Sequence, residues 1–315
     1  MKAIQFNSFG SPQVLQYTEI DPPTIDTDDR NTLLIKVFAS GVNPIDTKIR
    51  NGSSFASANI NFPSGIGFDI SGEVIDKSID VQNINLGQHI IGRLGFDNLN
   101  GYSQYCKIKT NQVVIKPDKL TWEQAACLPI AGLTAWQSLH THGKLQDNER
   151  VLIHAGAGGV GHIAIQLAKA TGAYVITTAS KNNHDFVKSL GANEVIDYRV
   201  APFENMINNI DLVIDLVGSD TGIRSFKTLQ PKGRLVTIPT NTRDQVLAHA
   251  HSLNYNACGM LAETNLSELN TLAGLCEDGS LGVYVHNTFD LSEAYKAHEL
   301  LETGHTTGKT ALKCI

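Results

Sequence analysis

Val151-Leu-Ile-His-Ala-Gly-Ala-Gly-Gly-Val-Gly161 is the stretch that decides the fold of this chain. Apolar, partly β-branched residues lead into a cluster of glycines, and the helically spaced segment 163–169 follows, so the stretch predicts a strand, a tight turn and a helix. A second β-branched segment, Tyr174-Val-Ile-Thr-Thr178, arrives within the ~30 residues of a βαβ unit. The pattern therefore predicts an α/β domain with a doubly wound parallel sheet.

The glycines of this turn suit the binding of a phosphate. A side chain at Gly156 or Gly158 would obstruct the approach of backbone N–H groups to a phosphate, and Gly161 lets the helix pack closely on the strand. The positive end of that helix would then face a pyrophosphate. Glycine-rich turns also join strands to helices for purely geometric reasons, but the flanking strands and helix favour a dinucleotide site. The residues predicted to contact the dinucleotide here are Gly156, Gly158, Gly159, Val160 and Gly161.

The end of the second strand indicates which dinucleotide binds. NAD sites place an Asp or Glu there to accept hydrogen bonds from the ribose hydroxyls, whereas this chain has Thr177-Thr-Ala-Ser-Lys181. The Ser180 hydroxyl and the Lys181 ammonium suit a 2′-phosphate, which a carboxylate would repel, so NADPH is the predicted cofactor. The alternative is that Ser180 caps the following helix and that Lys181 is an ordinary solvated lysine.

Length and composition predict a two-domain globular protein. The chain has 315 residues, of which 42% are hydrophobic and 18% are charged, and this length fits two domains of ~150 residues. The net charge of −6 opposes a broad nucleic-acid-binding surface. No apolar run approaches the ~20 residues of a membrane span, and the first residues lack a signal-peptide pattern. We therefore expect a cytoplasmic protein that partners neither nucleic acid nor membrane.

Two patterns divide the rest of the chain. Before the glycine turn, short β-branched segments separated by turn residues predict an antiparallel, barrel-like domain. These segments are 33–37, 72–75, 89–91 and 112–115. After the turn, further segments are predicted to be parallel strands, and they are 195–197, 211–216, 234–238 and the edge strand 253–259. A helical segment at 291–301 and a strand-like segment at 309–314 predict a tail that returns to the first domain.

Taken together, the motifs resemble those of the zinc-independent quinone oxidoreductase branch of the medium-chain dehydrogenase/reductase superfamily. They cover nearly the whole chain and comprise Gly41-Val-Asn-Pro-Ile-Asp-Thr-Lys48, Gly67-Phe-Asp-Ile-Ser-Gly-Glu-Val74, Leu128-Pro-Ile-Ala-Gly-Leu-Thr-Ala-Trp136, the glycine turn with Gln166 and Lys169, and Gly304-His-Thr-Thr-Gly-Lys309. The resemblance implies a GroES-like, β-rich catalytic domain of residues 1–120 and 263–315. It also implies a Rossmann NADP(H)-binding domain of residues 121–262 and a cofactor lying in the cleft.

The same comparison argues against a metal. Zinc-dependent relatives carry a Cys where this chain has Asn43, a His where it has Phe68, and a Cys or Asp near Ile130. Their four-cysteine structural zinc lobe would fall around residues 87–105, which contain no cysteine here. The remaining donors are too few for tetrahedral zinc. The five cysteines of the chain are scattered and form no Cys-x-x-Cys pair, which favours buried free thiols.

The resemblance implies catalytic roles for residues 43–48 of the first motif. Asn43 would donate a hydrogen bond to the carbonyl oxygen of the substrate, and Asp46 or Lys48 would orient the substrate or relay a proton. Each residue also has a structural explanation, because Asn43 suits a turn, Asp46 suits a helix cap and Lys48 suits a solvated surface. Some bacterial relatives have tyrosines just after this motif, whereas this chain has Asn51-Gly-Ser-Ser-Phe55, so no tyrosine acid is expected there.

Three further residues belong to the predicted cofactor site, and two of them, Thr134 and Tyr198, are assigned through the resemblance. Thr134 is expected to contact the nicotinamide, with packing inside a helix as the alternative. Tyr198 matches a position that meets the adenosine phosphate beside Lys181, and an ordinary half-buried tyrosine is the alternative. Val217 completes the predicted set.

Without zinc to stabilise an alkoxide, the chemistry needs an acceptor that is already activated. We therefore expect NADPH-dependent hydride transfer to a quinone or a small α,β-unsaturated carbonyl. An enoyl-thioester reductase is one alternative, although no Lys/Arg cluster for a long anionic tail is apparent. A low-turnover NADPH-binding redox sensor or structural protein is another. The edge strand could pair with its copy across a two-fold axis, which predicts a homodimer. The alternative is a monomer in which this edge is covered.

Overall fold

The computed structural model describes all residues 1–315, which fold into two compact units. One unit consists of residues 1–130 and 264–315, and the other of residues 131–263. The strands are β1 (Lys2–Phe6), β2 (Gln16–Glu19), β3 (Thr32–Val42), β4 (Ser64–Gly65), β5 (Asp69–Lys77), β6 (His89–Arg93), β7 (Tyr105–Lys109), β8 (Val113–Ile115), β9 (Arg150–Ile153), β10 (Tyr174–Thr178), β11 (Glu194–Ile196), β12 (Ile210–Asp215), β13 (Leu229–Thr237), β14 (Asn256–Gly259), β15 (Val285–Asp290) and β16 (Lys309–Lys313).

The helices are shorter and most of them lie between strands. The α-helices are α1 (Pro44–Arg50), α2 (Trp122–Ala126), α3 (Pro129–Trp136), α4 (Gly161–Ala170), α5 (His184–Ser189), α6 (Ser219–Ser225), α7 (Arg243–Ser252), α8 (Leu266–Asp278) and α9 (Ala294–Glu302). A π-helix (Gln137–His142) continues α3. Short 3₁₀ helices cover Pro12–Val14, Phe55–Asn59, Thr110–Gln112, Lys181–Asn183, Phe203–Asn205, Phe226–Thr228 and Leu291–Glu293. No helix is long and apolar enough to cross a membrane.

The first unit is built around the long strand β3. One edge of β3 pairs antiparallel with β5, while its other edge pairs first with β7 and then with β16. β6, β8 and β15 complete this seven-stranded sheet, and β2, β1 and β4 form a separate three-stranded sheet. The end of the chain thus returns to the middle of the first unit, with Thr310 opposite Val42. That pairing brings the C-terminal segment next to the end of β3.

The second unit contains a six-stranded, wholly parallel sheet in the order β11-β10-β9-β12-β13-β14. Its central strands are fully buried, as Val151, Leu152 and Ile153 of β9 are, which is why they appear as continuous apolar runs in the sequence. The strand order changes direction at β9 and β12, and ligands of such sheets bind outside the carboxyl ends of the strands at this point. These two units confirm the predicted fold class.

Several predicted strands differ in extent from the observed ones. β3 and β5 are longer than the predicted segments 33–37 and 72–75, and β13 and β14 begin at other residues than predicted. β13 begins at Leu229, five residues before the predicted start, because Leu229 already pairs with Ile210. The pairing then shifts register and resumes at Arg234, which lies opposite Leu212. β14 begins at Asn256 instead of residue 253. Leu253 is the C-cap residue of α7, and Asn254 takes a left-handed conformation (φ 57°) before the strand starts.

Candidate active site

Asn43 lies where β3 gives way to α1. Its extended backbone (φ −130°, ψ 152°) makes it the N-cap residue, and Pro44 opens the helix, an arrangement that both residue types favour. The Asn43 side chain is 1% exposed, and its amide nitrogen donates to Asp69 Oδ2 (3.0 Å) and to the Gly41 carbonyl (3.3 Å). Its amide oxygen accepts from Lys309 Nζ (2.5 Å). Protein groups therefore hold both ends of this amide.

Lys309 reaches Asn43 because β16 runs antiparallel to the end of β3. Its buried ammonium also donates to the Val42 carbonyl (2.8 Å). Burial raises the pKa of the fully buried Asp69 carboxyl to about 6, and the charge of Lys309 opposes that rise. A buried ammonium and a buried carboxylate thus compensate each other, with the Asn43 amide bonded to both. We call Asn43, Asp69 and Lys309 the amide cluster.

Asp69 adjoins the three positions, 43, 68 and 130, at which zinc-dependent relatives are expected to hold their metal. Its Oδ2 accepts from the backbone N–H of Ile130 (3.1 Å) as well as from Asn43, and Phe68 directly precedes it in the chain. Phe68 and Ile130 supply no metal-binding atoms from their side chains. Nowhere in the chain do three or more His, Cys, Asp or Glu side chains converge in a way that could hold a metal ion.

Asp46 stabilises the start of α1 through hydrogen bonds with Asn43 and Tyr102. Its Oδ2 accepts from the Asn43 N–H (2.8 Å) and from the Tyr102 hydroxyl (3.0 Å), and that hydroxyl lies 3.2 Å from His298 Nε2. Burial raises the pKa of the Asp46 carboxyl to about 7 and lowers the pKa of the His298 ring to about 3. Asp46 Oδ1 and His298 Nδ1 have no hydrogen-bond partner. The structure therefore places the predicted residue Asp46 in a helix cap that is closed to solvent.

Lys48 differs from its neighbours because its side-chain ammonium has no hydrogen-bond or ion-pair partner within the chain. It lies in α1 one turn after Asn43, and it is partly buried. Burial lowers the pKa of its ammonium below the ordinary value. An amine with that property releases and regains a proton more readily than a solvated lysine does.

In the second unit, the glycine turn connects β9 to α4 as predicted. A Cβ at Gly156 would overlap Thr177 Oγ1 of β10, and a Cβ at Gly161 would come within 2.7 Å of the Gly156 Cα, so these two glycines allow the turn to pack against its own sheet. Gly158 is different, because a Cβ there would meet only the Ala155 carbonyl, at 3.2 Å. The N–H groups of Gly159, Val160 and Gly161 donate to no acceptor within the chain.

His154 anchors this turn, and reasoning from the sequence did not include it. Its ring is buried and lies 3.1 Å from Thr178 Oγ1 and 2.9 Å from Ser225 Oγ. Burial lowers the pKa of the ring to about 4, so it acts as a neutral hydrogen-bonding spacer at physiological pH. The next residue, Ala155, takes a left-handed conformation (φ 50°) and donates to Thr178 Oγ1 (3.1 Å). The shape of the turn is therefore set by β10 and α6 as well as by glycines.

Ser180, Lys181 and Tyr198 come together at the carboxyl ends of β10 and β11. Ser180 precedes a 3₁₀ turn without capping it through its side chain, and Lys181 and Tyr198 are exposed. Asp197, which the sequence analysis did not include, accepts from the Lys181 N–H (3.1 Å) and forms two hydrogen bonds with the Arg199 guanidinium (3.1 and 3.0 Å). The Arg199 side chain, with two of these bonds, holds the pKa of the Asp197 carboxyl well below its usual range.

The other two predicted cofactor residues belong to the same unit. Val217 follows β12 and is exposed, and its N–H donates to Oδ1 of the buried Asp215 (3.0 Å). It thus lies at the same sheet edge as the glycine turn and Ser180. Thr134 lies within α3 and is buried.

Two family models match the chain. One, described as the alcohol dehydrogenase GroES-like domain, matches residues 29–132, and the other, described as zinc-binding dehydrogenase, matches residues 190–312. The quinone oxidoreductase of Pseudomonas aeruginosa is 32% identical over 333 residues, which cover 99% of this chain and 99% of that protein. These matches extend over both units.

Solved structures give the same picture. The quinone oxidoreductase from Coxiella burnetii is 46% identical, with a TM-score of 0.95 over 99% of both chains. The Escherichia coli quinone oxidoreductase, solved in complex with NADPH, is 29% identical, with a TM-score of 0.87 over 99% of this chain and 100% of that one.

Proposed function

Because this chain belongs to the quinone oxidoreductases of the medium-chain dehydrogenase/reductase superfamily, we propose that it is an NADPH-dependent, zinc-independent reductase of quinones or small α,β-unsaturated carbonyls. The observation that carries the proposal is the amide cluster. Where zinc-dependent relatives need metal ligands, Asp69 binds an amide and a backbone N–H, and two apolar side chains occupy the remaining positions. This donor set suits a hydrogen-bonded carbonyl oxygen and does not suit Zn²⁺.

The second unit fits the cofactor. The N–H groups of Gly159, Val160 and Gly161 lack acceptors at the positive end of α4, which is the arrangement that binds a pyrophosphate. A Cβ at Gly158 would make a single tight contact, 3.2 Å from the Ala155 carbonyl oxygen, so we propose that close approach of a phosphate is the further reason for a glycine there. Lys181, Tyr198 and Ser180 would hold the 2′-phosphate, while Val217 and Thr134 would contact the rest of the dinucleotide.

When bound, NADPH supplies a hydride, and a hydride together with one proton converts a quinone to a hydroquinone or an enone to the saturated carbonyl. The chain's own residues then have two tasks. Asn43 Nδ2 would donate to the acceptor oxygen in place of its 3.3 Å contact with Gly41, while Lys309 and Asp69 keep the amide in position. Lys48, unpaired and with a lowered pKa, would deliver the proton, and Asp46 would position Asn43 through its backbone N–H.

We also propose that the protein is cytoplasmic and forms a homodimer. The five free cysteines suit the reducing cytoplasm. β14 has a single neighbour, β13, so the outer edge of β14 offers unpaired backbone groups to a second copy of the chain, as in a homodimer.

The test is to follow NADPH and NADH oxidation by the purified protein with 1,4-benzoquinone, 1,4-naphthoquinone and 3-buten-2-one. We expect turnover that prefers NADPH by at least ~10-fold and that survives exhaustive treatment with EDTA. Tight NADPH binding without oxidation by any acceptor would contradict the proposed activity and favour a redox sensor. Loss of turnover with EDTA, restored by Zn²⁺, would contradict zinc independence.

A further inference from the structure

Two aromatic side chains near the amide cluster are much more exposed than an apolar ring usually is. Phe55 is 59% exposed and Phe96 is 40% exposed, and their ring centroids lie 5.4 Å apart at an angle of 59°. Large apolar groups exposed side by side mark surfaces that bind something. The amide cluster, as a set of polar groups, does not account for these two rings.

A third ring connects this pair to the amide cluster. Phe96 packs edge-on against Phe68, with centroids 5.0 Å apart and ring planes at 76°. Phe68 is fully buried and directly precedes Asp69. Antiparallel pairing fixes this contact, because Asp69 lies opposite Arg93 and the Leu94 N–H donates to the Phe68 carbonyl (2.8 Å), so Phe96 follows two residues later. The three rings form a row from solvent to the residue beside Asp69.

The other end of the row lies next to the backbone of Lys48. After α1 the chain folds back, and the N–H groups of Ser53 and Ser54 both donate to the Lys48 carbonyl (2.9 and 3.1 Å). Ser54 then caps the 3₁₀ helix that begins with Phe55. The Phe55 backbone is therefore placed next to the residue proposed to deliver the proton.

We infer that Phe55 and Phe96 form an aromatic wall that determines acceptor specificity, and that the preferred acceptor is a fused-ring quinone rather than a small enone. This inference rests on the proposed function. Aromatic rings favour tilted or offset contact with another flat π-system, and two exposed rings in a tilted pair offer apolar faces to a planar ligand. A fused bicyclic ring covers both, whereas a four-carbon enone leaves at least one of them in water.

The absence of hydroxyls along the wall sharpens this assignment. Each member of the row is a phenylalanine, so the wall provides neither a proton nor a hydrogen bond. It discriminates by apolar area and ring shape alone. Polar steps are left to Asn43 and Lys48, and an acceptor gains from the wall in proportion to its aromatic surface.

The experiment compares Phe55→Ala, Phe55→Leu and Phe96→Ala with wild type, using 1,4-naphthoquinone and 3-buten-2-one as acceptors at saturating NADPH. Tyr17→Ala is the matched control, because Tyr17 is a similarly exposed ring (47%) on β2 of the other sheet. We expect each alanine variant to raise the KM for naphthoquinone by ~10-fold, with kcat and the KM for butenone within about twofold. Phe55→Leu should give an intermediate KM, because it keeps apolar bulk and loses the ring.

The outcomes separate this inference from the proposed function. Wild-type turnover with naphthoquinone, together with unchanged KM values in Phe55→Ala and Phe96→Ala, would overturn the wall while leaving the reductase intact. Equal losses with both acceptors would also overturn it, because they would indicate a structural role. Absence of NADPH oxidation in the wild type with either acceptor would contradict the proposed function. The inference about Phe55 and Phe96, which rests on that function, would then be wrong as well. Full KM recovery in Phe55→Leu would show that bulk, and not the aromatic face, is what the acceptor requires.

Discussion

The candidate groups in the two units are held in opposite ways. In the β-rich unit, Asn43, Asp69 and Lys309 are buried, and Asn43 is hydrogen-bonded to the other two, whereas at the carboxyl edge of the parallel sheet Lys181, Tyr198 and the N–H groups of the glycine turn face solvent or lack acceptors. A buried, mutually bonded cluster is preorganised and tolerates little change. The N–H groups that lack acceptors at the carboxyl edge of the parallel sheet would find those acceptors in a bound ligand. The contrast indicates that substitutions in the first unit change rate and stability, and that those in the second change cofactor affinity.

The largest effect is expected from Lys309→Met, which removes the cation from the amide cluster. Asp69 would keep a fully buried carboxylate without its counter-charge, and such a loss costs about 3 kcal/mol. Chemical denaturation at pH 8 measures the free energy of unfolding, and steady-state assays should show kcat lowered by at least ~10-fold. Lys313→Met is the control, because Lys313 lies on the same strand and is exposed. Equal stability of the two variants would contradict the role of Lys309 as the counter-charge of Asp69.

Gly161→Ala tests whether cofactor binding at the carboxyl edge of the parallel sheet depends on the shape of the glycine turn. The added Cβ would push against the Ala155 carbonyl and the Gly156 Cα, at a cost of about 1–2 kcal/mol. The displaced N–H groups should weaken NADPH binding by ~10-fold in a fluorescence titration. Gly274→Ala is the matched control in α8, where a Cβ meets nothing within 4 Å, and it should raise stability slightly. Unchanged NADPH affinity in Gly161→Ala would contradict this account of the turn.

Arg199→Gln sharpens the assignment of the 2′-phosphate site. Without the guanidinium, the Asp197 carboxylate beside the Lys181 N–H loses its compensating charge, and a carboxylate repels a phosphate dianion. The KM for NADPH should rise by ~5-fold while the KM for NADH stays unchanged or falls. Lys188→Gln, on the exposed face of α5, removes the same charge and should leave both values unaltered. Parallel changes with NADPH and NADH would contradict the role of Arg199.

The smallest effect concerns the pH dependence of stability. Burial raises the pKa of Asp46 in the folded protein to about 7, so the folded state holds a proton that the unfolded state has released between the two pKa values. This contribution to stability is complete below the ordinary carboxyl pKa and is lost as the pH rises to about 7. In Asp46→Asn, unfolding free energy should therefore decline less between pH 4.5 and 8, by at least about 1 kcal/mol. An identical decline in wild type and variant would show that Asp46 is already ionised in the folded state.

Local patterns in the sequence predicted the parallel sheet, the glycine turn and a cofactor site at the carboxyl ends of the parallel strands. β10 has the predicted bounds because its β-branched run is bordered by turn residues, and parallel topology then places the ends of β9, β10 and β12 at one edge. The amide cluster could not be derived in this way. Asn43, Asp69 and Lys309 are far apart in the chain, and only the antiparallel pairing of β3 with β5 and β16 brings them together. His154 and Asp197 were missed for a related reason, because their partners come from neighbouring strands and helices.

The division between the two regions is tested most directly by one pair of variants measured in the same two ways. Equilibrium binding of NADPH and the single-turnover rate of its oxidation by 1,4-naphthoquinone are determined for Asn43→Ala and Lys181→Gln. We expect Asn43→Ala to lower the rate by ~10-fold or more and to change NADPH affinity less than twofold. We expect Lys181→Gln to weaken NADPH binding by ~10-fold with little change in rate. Loss of NADPH affinity in Asn43→Ala, or a slowed rate at saturating NADPH in Lys181→Gln, would contradict this division.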